Sequence, residues 1–166
     1  MAWHPLEPID VTFFDTAPQR YVYRLDVAVP PAEVWRSLQS DESLGAWGPS
    51  VKQVRWTSAR PFGVGTTREV ELALGIATVR ERFFIWDEGT QYAFEVYESN
   101  RKLFRRFGEN YVIEPRNGGA RLTWTVAIEP AAGLRRLAPV TGPMNQFAFG
   151  RMARSGRSYF ARQLTN

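Results

Sequence analysis

TREVELALGIATVRERFFIWDEGTQYAFEV, residues 67–96, reads as three strands joined by two tight turns. Apolar residues alternate with polar ones, which is the period of a half-buried strand rather than a helix. Gly75 and Asp87-Glu88-Gly89 supply the turn chemistry, so the strands run Gly65–Leu74, Ile76–Trp86 and Gln91–Glu98. Loops this short join neighbours antiparallel. Parity then sorts the side chains. Val70, Leu72 and Leu74 share a face with Arg68; Val79, Phe83 and Ile85 share one with Glu81; Tyr92, Phe94 and Val96 go together. With the first turn centred near Gly75, Arg68 and Glu81 should stand opposite each other on the apolar face.

The same reading extends both ways. Tyr21–Val29, Val51–Thr57, Leu103–Glu114 and Arg121–Glu129 are also strand-like, with Asn117-Gly118-Gly119 closing the last hairpin. Here Phe107, Tyr111 and Ile113 share a face with Glu109, and Leu122, Trp124, Val126 and Ile128 face the same way. Between the first two strands, Pro30-Pro31 stops one strand and opens a helix with Val34, Trp35 and Leu38 at helical spacing. A second short helix is expected at Asp41–Trp47. Residues 130–143 read as a broken, partly helical connector. Met144–Leu164 holds no proline and reads as one long helix. Residues 1–20 form an extended arm, and residues 21–166 a single domain. The expected class is α+β: a seven-stranded antiparallel sheet wrapped around a long C-terminal helix, with two short helices after the first strand.

Composition narrows the chemistry. The chain has 166 residues, 44% hydrophobic and 14% aromatic, enough for one well-buried core. It has no cysteine, and His4, in the proline-rich arm, is its one histidine. That argues against Ser-His-Asp and Cys-His relays and against zinc or haem of the usual type, so neither metal nor cofactor is expected. Gly63-Val64-Gly65 precedes a strand, not the helix N-terminus a phosphate loop needs. Asp87 and Glu88 read as solvated turn residues. The net charge is +4, yet the arginines are dispersed, so a nucleic-acid partner is not expected. No signal peptide or membrane-spanning run is seen, and a cytoplasmic protein without membrane insertion, monomer or homodimer, is expected.

Three segments carry a resemblance: VPPAEVWRSLQSDESLGAWGPSV after the first strand, PFGVGTTREVEL, and VRERFFIWDEGTQYAFEV. They resemble the START-like (SRPBCC) superfamily, in its polyketide cyclase/dehydrase-like branch, from about Tyr21 to Leu164. The resemblance implies a helix-grip (START/Bet v 1-like) fold with an internal cavity, and no residue set of one catalytic subfamily accompanies it.

The expected occupant is a small hydrophobic molecule, aromatic, polyketide-like or lipid. Its lining is expected from Trp35, Leu72, Phe83, Phe94, Tyr111, Trp124, Met152 and Tyr159, with Arg68, Glu81 and Glu109 as polar members. Those three charges are either a structural ion pair or a polar anchor for ligand. An enzyme of the cyclase/dehydratase type would use Glu81 or Glu109 as general acid/base and Arg68 to hold a carbonyl. A non-catalytic accessory protein acting through its surface is the third reading.

Overall fold

The computed structural model describes residues 1–164; Thr165 and Asn166, the end of the expected domain, lie outside the described residues. The strands are β1 His4–Pro5, β2 Gln19–Val27, β3 Val51–Trp56, β4 Thr67–Leu72, β5 Thr78–Asp87, β6 Gln91–Ser99, β7 Phe104–Arg116 and β8 Gly119–Pro130. The helices are α1 Phe13–Thr16, α2 Pro31–Leu38 and α3 Ala138–Gln163, with 3-10 turns at Ser43–Trp47, Ala73–Gly75 and Ala132–Leu137. The sheet order is β2-β8-β7-β6-β5-β4-β3, every described pair antiparallel. These are the seven expected strands, curled around α3 as a half-barrel. The arm adds an eighth: β1 pairs with β6, His4 opposite Ser99.

Three expectations need correction. The long helix begins at Ala138, not Met144, and carries Pro143 inside it. Proline removes one backbone donor and crowds the carbonyl four residues earlier, so it commonly marks a helix start. Here the helix is held across that point from outside: the hydroxyls of Tyr21 and Tyr23 on β2 donate to the carbonyls of Gly142 and Gln146. Second, β4 ends at Leu72, and Leu74 lies in a 3-10 turn at φ 58°, almost fully exposed. Third, the register of β5 against β6 shifts between Phe83 and Ile85. A bulge turns every later side chain to the other face. Trp86 therefore points inward, opposite Tyr92, while Ile85 packs outside.

That outer face is what the arm covers. Phe13 and Phe14 of α1, both buried, pack with Ala93 and Ala127, joined by Ile9, Phe84 and Ile85. The arm is tied down by backbone bonds from Leu6 to Tyr97 and Glu7 to Arg105, and the Ile9 amide donates to Glu95 Oε2 at 3.1 Å. Gly108 leaves the room: a β-carbon there would collide with the Ile9 side chain and sit 2.8 Å from the Phe94 carbonyl oxygen. Gly108→Ala is therefore expected to cost about 1–3 kcal/mol by overpacking. It should expose residues 1–18 to limited proteolysis that leaves the wild type uncut. An uncut arm in the variant would contradict this packing.

Gly156 plays the matching role inside. A β-carbon there would sit 2.8 Å from Trp47 Cε3, so the missing side chain lets α3 close onto Trp47, beside Phe160. The core between sheet and α3 includes Leu25, Val34, Leu38, Val126 and Met152.

Candidate functional site

The turn at Ala73–Gly75 sets β4 against β5 so that Arg68 and Glu81 are direct partners, as the hairpin arithmetic requires. Both are buried, Arg68 completely. Arg68 Nε donates to Glu81 Oε2 at 2.5 Å, and Nη1 donates to Ser43 Oγ at 2.9 Å. Ser43 is held at φ 42° with its own hydroxyl donating to the Leu38 carbonyl, which fixes its lone pairs toward the arginine. Rings surround the guanidinium: its carbon lies 4.9 Å from the centroid of Phe94, 5.0 Å from Phe83, 5.1 Å from Trp56 and 6.0 Å from Tyr92. Ring faces are electron-rich and attract a cation, most strongly when it is desolvated.

The pair behaves as an ion pair. Burial works hardest against the Arg68 charge, but the Glu81 carboxylate, with help from Tyr92 and Tyr111, more than offsets it and the pKa rises. Burial likewise lifts the Glu81 carboxyl, and Arg68 pulls it part of the way back. Arginine cannot shed its proton in a protein, so a neutral Glu81 would leave a buried cation unbalanced. Arg68 Nη2 and the Tyr92 hydroxyl, both buried in this aromatic interior, make no well-formed hydrogen bond, although Arg68 lies close enough to Tyr92 to act on it as a weak donor. Burial raises the Tyr92 pKa and Arg68 opposes the rise, so the hydroxyl stays a neutral donor.

Glu109 lies deeper along the sheet, opposite Phe94 on one side and Val126 on the other. Its direct partners are neutral donors and not Arg68: the Tyr111 hydroxyl at 2.5 Å and Trp124 Nε1 at 2.9 Å, both donating to Oε2. Burial, reinforced by the Glu81 charge, pushes its carboxyl up to about 7, against the pull of those two donors and of Arg68. Glu81 and Glu109 are thus two buried carboxyls with different fates, one ionised by its arginine and one poised near neutrality.

The remaining expected lining divides. Phe83, Phe94, Tyr111 and Trp124 are wholly buried, Phe83 meeting Phe94 edge-on at 5.3 Å and Tyr111 stacking on Trp124 at 5.8 Å between centroids. Trp35 and Met152 are buried in the same core, and Leu72 is half-buried at the end of β4. Tyr159 is half-buried: it packs against Phe160 at the edge of the core, and with Phe160 it lines a groove of about 370 Å³ beside Glu33, Arg36 and Asp41. Its neighbour Phe160 takes the interior place, because α3 turns by about 100° per residue.

Six residues escaped the expected lining: Ser43 and Tyr92, described above, and Trp56, Phe62, Trp86 and Glu88. Half-buried Trp56, Phe62 and Trp86 cover the aromatic interior at one end, Trp56 stacking on Phe62 at 4.2 Å. Glu88, expected to be merely solvated, accepts from Trp35 Nε1 at 2.7 Å and Trp86 Nε1 at 3.0 Å and so fixes two of the rings. The one available signal for Trp86 was the unbroken apolar run FFIW, which a strictly alternating strand would not contain. His4 sits in β1, far along the chain from all of these. Among the described residues no group of three or more His, Cys, Asp or Glu could hold a metal ion.

Comparison with known proteins agrees with this architecture. An uncharacterized protein of Mycobacterium tuberculosis (strain ATCC 25618 / H37Rv) is 34% identical over 156 residues, covering 94% of this chain and 93% of its own. Among solved structures, the START superfamily protein from Mycobacterium smegmatis matches with TM-score 0.65 and 15% identity over 87% of this chain and 98% of its own. The Ara h 8.0201 structure matches with TM-score 0.64 and 18% identity over 89% and 99%. The family model described as polyketide cyclase / dehydrase and lipid transport spans residues 18–165. With that match running from the start of β2 to the end of α3, the chain belongs to the polyketide cyclase/dehydrase and lipid-transport family and has its START-like, helix-grip fold.

Proposed function

We propose that the aromatic interior around Arg68 opens to bind a small hydrophobic molecule, aromatic or polyketide-like, through one oxygen recognised by Arg68 and Tyr92. The observation that supports this reading is the pair of poorly satisfied buried donors, Arg68 Nη2 and the Tyr92 hydroxyl, which have at best a weak contact with each other among apolar rings. A buried polar group without a partner costs about 1–3 kcal/mol, and a ligand carbonyl or carboxylate would supply what both lack. The ligand enters by displacing the half-buried rings of Trp56, Phe62 and Trp86.

Tyr92→Phe separates binding from stability. Removing a poorly satisfied hydroxyl should leave the free protein as stable or more stable, by about 1 kcal/mol. The same change should weaken an aromatic ketone about tenfold and leave the matching hydrocarbon unaffected. Thermal shift reads both effects, since a ligand at 100 times its Kd adds about 2.7 kcal/mol. Equal weakening of both ligands, or a destabilised free protein, would remove the oxygen anchor.

A catalytic reading rests on Glu109. A neutral carboxylic acid can protonate the departing hydroxyl of a β-hydroxy ketone, and the resulting carboxylate can take the proton from the adjacent carbon, releasing one water. Glu109→Gln should then keep binding and abolish water loss followed by mass spectrometry. Turnover that survives the substitution would exclude Glu109 as the acid.

A further inference from the structure

Helix α3 is fixed in rotation by Tyr21, Tyr23 and Phe149, whose ring meets Trp124 edge-on at 5.8 Å. Its opposite side carries Val140, Met144 and Phe147, each more than half exposed, with Leu137 in line just before the helix. A lone exposed apolar side chain needs no explanation. Four at spacings of three and four residues form a continuous stripe, which does. The stripe runs on, at the same spacing, into Arg151 and Arg154, both exposed. From Ala131 through Gln163 the chain contains no aspartate or glutamate, so the apolar half and the basic half share a surface without a countercharge of its own.

An apolar stripe bordered by arginine is the composition of a helix that lies in the headgroup region of a membrane. The geometry points to α3 as the face by which this protein docks on an anionic lipid surface. Val140, Met144 and Phe147 enter the acyl boundary while Arg151 and Arg154 meet lipid phosphates. The mode is peripheral: no described helix is long and apolar enough to cross a bilayer. It narrows the expected lack of membrane insertion to a lack of spanning. On the function proposed above, an interior that takes hydrophobic molecules would then be brought to the phase in which they dissolve.

The test is vesicle flotation with the full chain, without added ligand. Wild type should float with phosphatidylcholine vesicles containing phosphatidylglycerol and not with phosphatidylcholine alone. Arg151→Gln with Arg154→Gln should weaken binding about 30-fold, from about 1 kcal/mol for each arginine near the surface. Val140→Ser, Met144→Ser and Phe147→Ser together should weaken it at least ~10-fold, and all three positions are exposed, so the fold should survive. Tyr92→Phe should float like wild type, which keeps this result separate from the proposed oxygen anchor. No flotation, or equal flotation of the variants, would overturn the assignment. So would a dimer in light scattering that the triple substitution dissociates, because a second copy would then own the stripe.

Discussion

Arg68→Met should lower stability by about 3–5 kcal/mol, the cost of leaving one member of a buried pair alone. At this chain length that is a fall in Tm on the order of 10 °C. The methionine keeps the contacts with Phe83, Phe94 and Trp56, because its sulfur packs well against rings. The loss therefore reports the charge and not a cavity. What remains is Glu81, buried and without its cation, and its carboxyl must take up a proton. Arg68→Met combined with Glu81→Leu should recover most of the loss, since an apolar pair of similar volume often replaces a buried ion pair at little cost. Added salt should change neither result, as a buried pair is poorly screened. A cost under ~1 kcal/mol for Arg68→Met alone would show that water reaches the pair.

The ion pair was legible in sequence because a two-residue period and one tight turn determine which residues face each other. Its surroundings were not, and for physical reasons. Parity carries along a strand only until a bulge, so the shift between Phe83 and Ile85 hid Trp86 and misassigned Ile85. Ser43 comes from a 3-10 turn whose position relative to β4 depends on how tightly the whole sheet curls. The arm carries Phe13 and Phe14 with no periodicity. Only the presence of Ala93, Gly108 and Ala127 on the outer face, small residues where bulky ones would be expected, hints at something lying across it. The start of α3 was placed after Pro143 by a local rule that tertiary contacts from Tyr21 and Tyr23 override.

Glu109 exposes the limit of reading charges on an apolar face as a group. Arg68, Glu81 and Glu109 share the interior, but one sheet position separates a carboxylate with a cation from one without. Phe94, on the intervening β6, stands directly opposite Glu109 in the register and beneath the guanidinium. Glu109 is left with neutral donors, Tyr111 and Trp124, and with the Glu81 charge as an unfavourable neighbour.

Stability should consequently fall as pH rises through the range in which Glu109 ionises only when unfolded. The unfolded carboxyl titrates near 4.5 and the folded one near 7, so between these values the native state holds a proton that the unfolded state has released. A native state that binds more protons loses stability as pH increases. The contribution is whole below pH 4.5 and gone above about 7, and a difference of this size amounts to about 3 kcal/mol. Glu109→Gln is the shape of the neutral acid, and its amide oxygen can accept from Tyr111 and Trp124 as Oε2 does. The variant should match the wild type near pH 4 and exceed it by about 3 kcal/mol at pH 8. Denaturant midpoints of the two proteins across that range, taken as a difference, cancel the other titrating groups. A flat difference would mean that Glu109 is ionised throughout, and the acid role proposed for it at neutral pH would go with it. A difference of opposite sign would mean that its carboxylate is held by a cation, against the contacts with Tyr111 and Trp124.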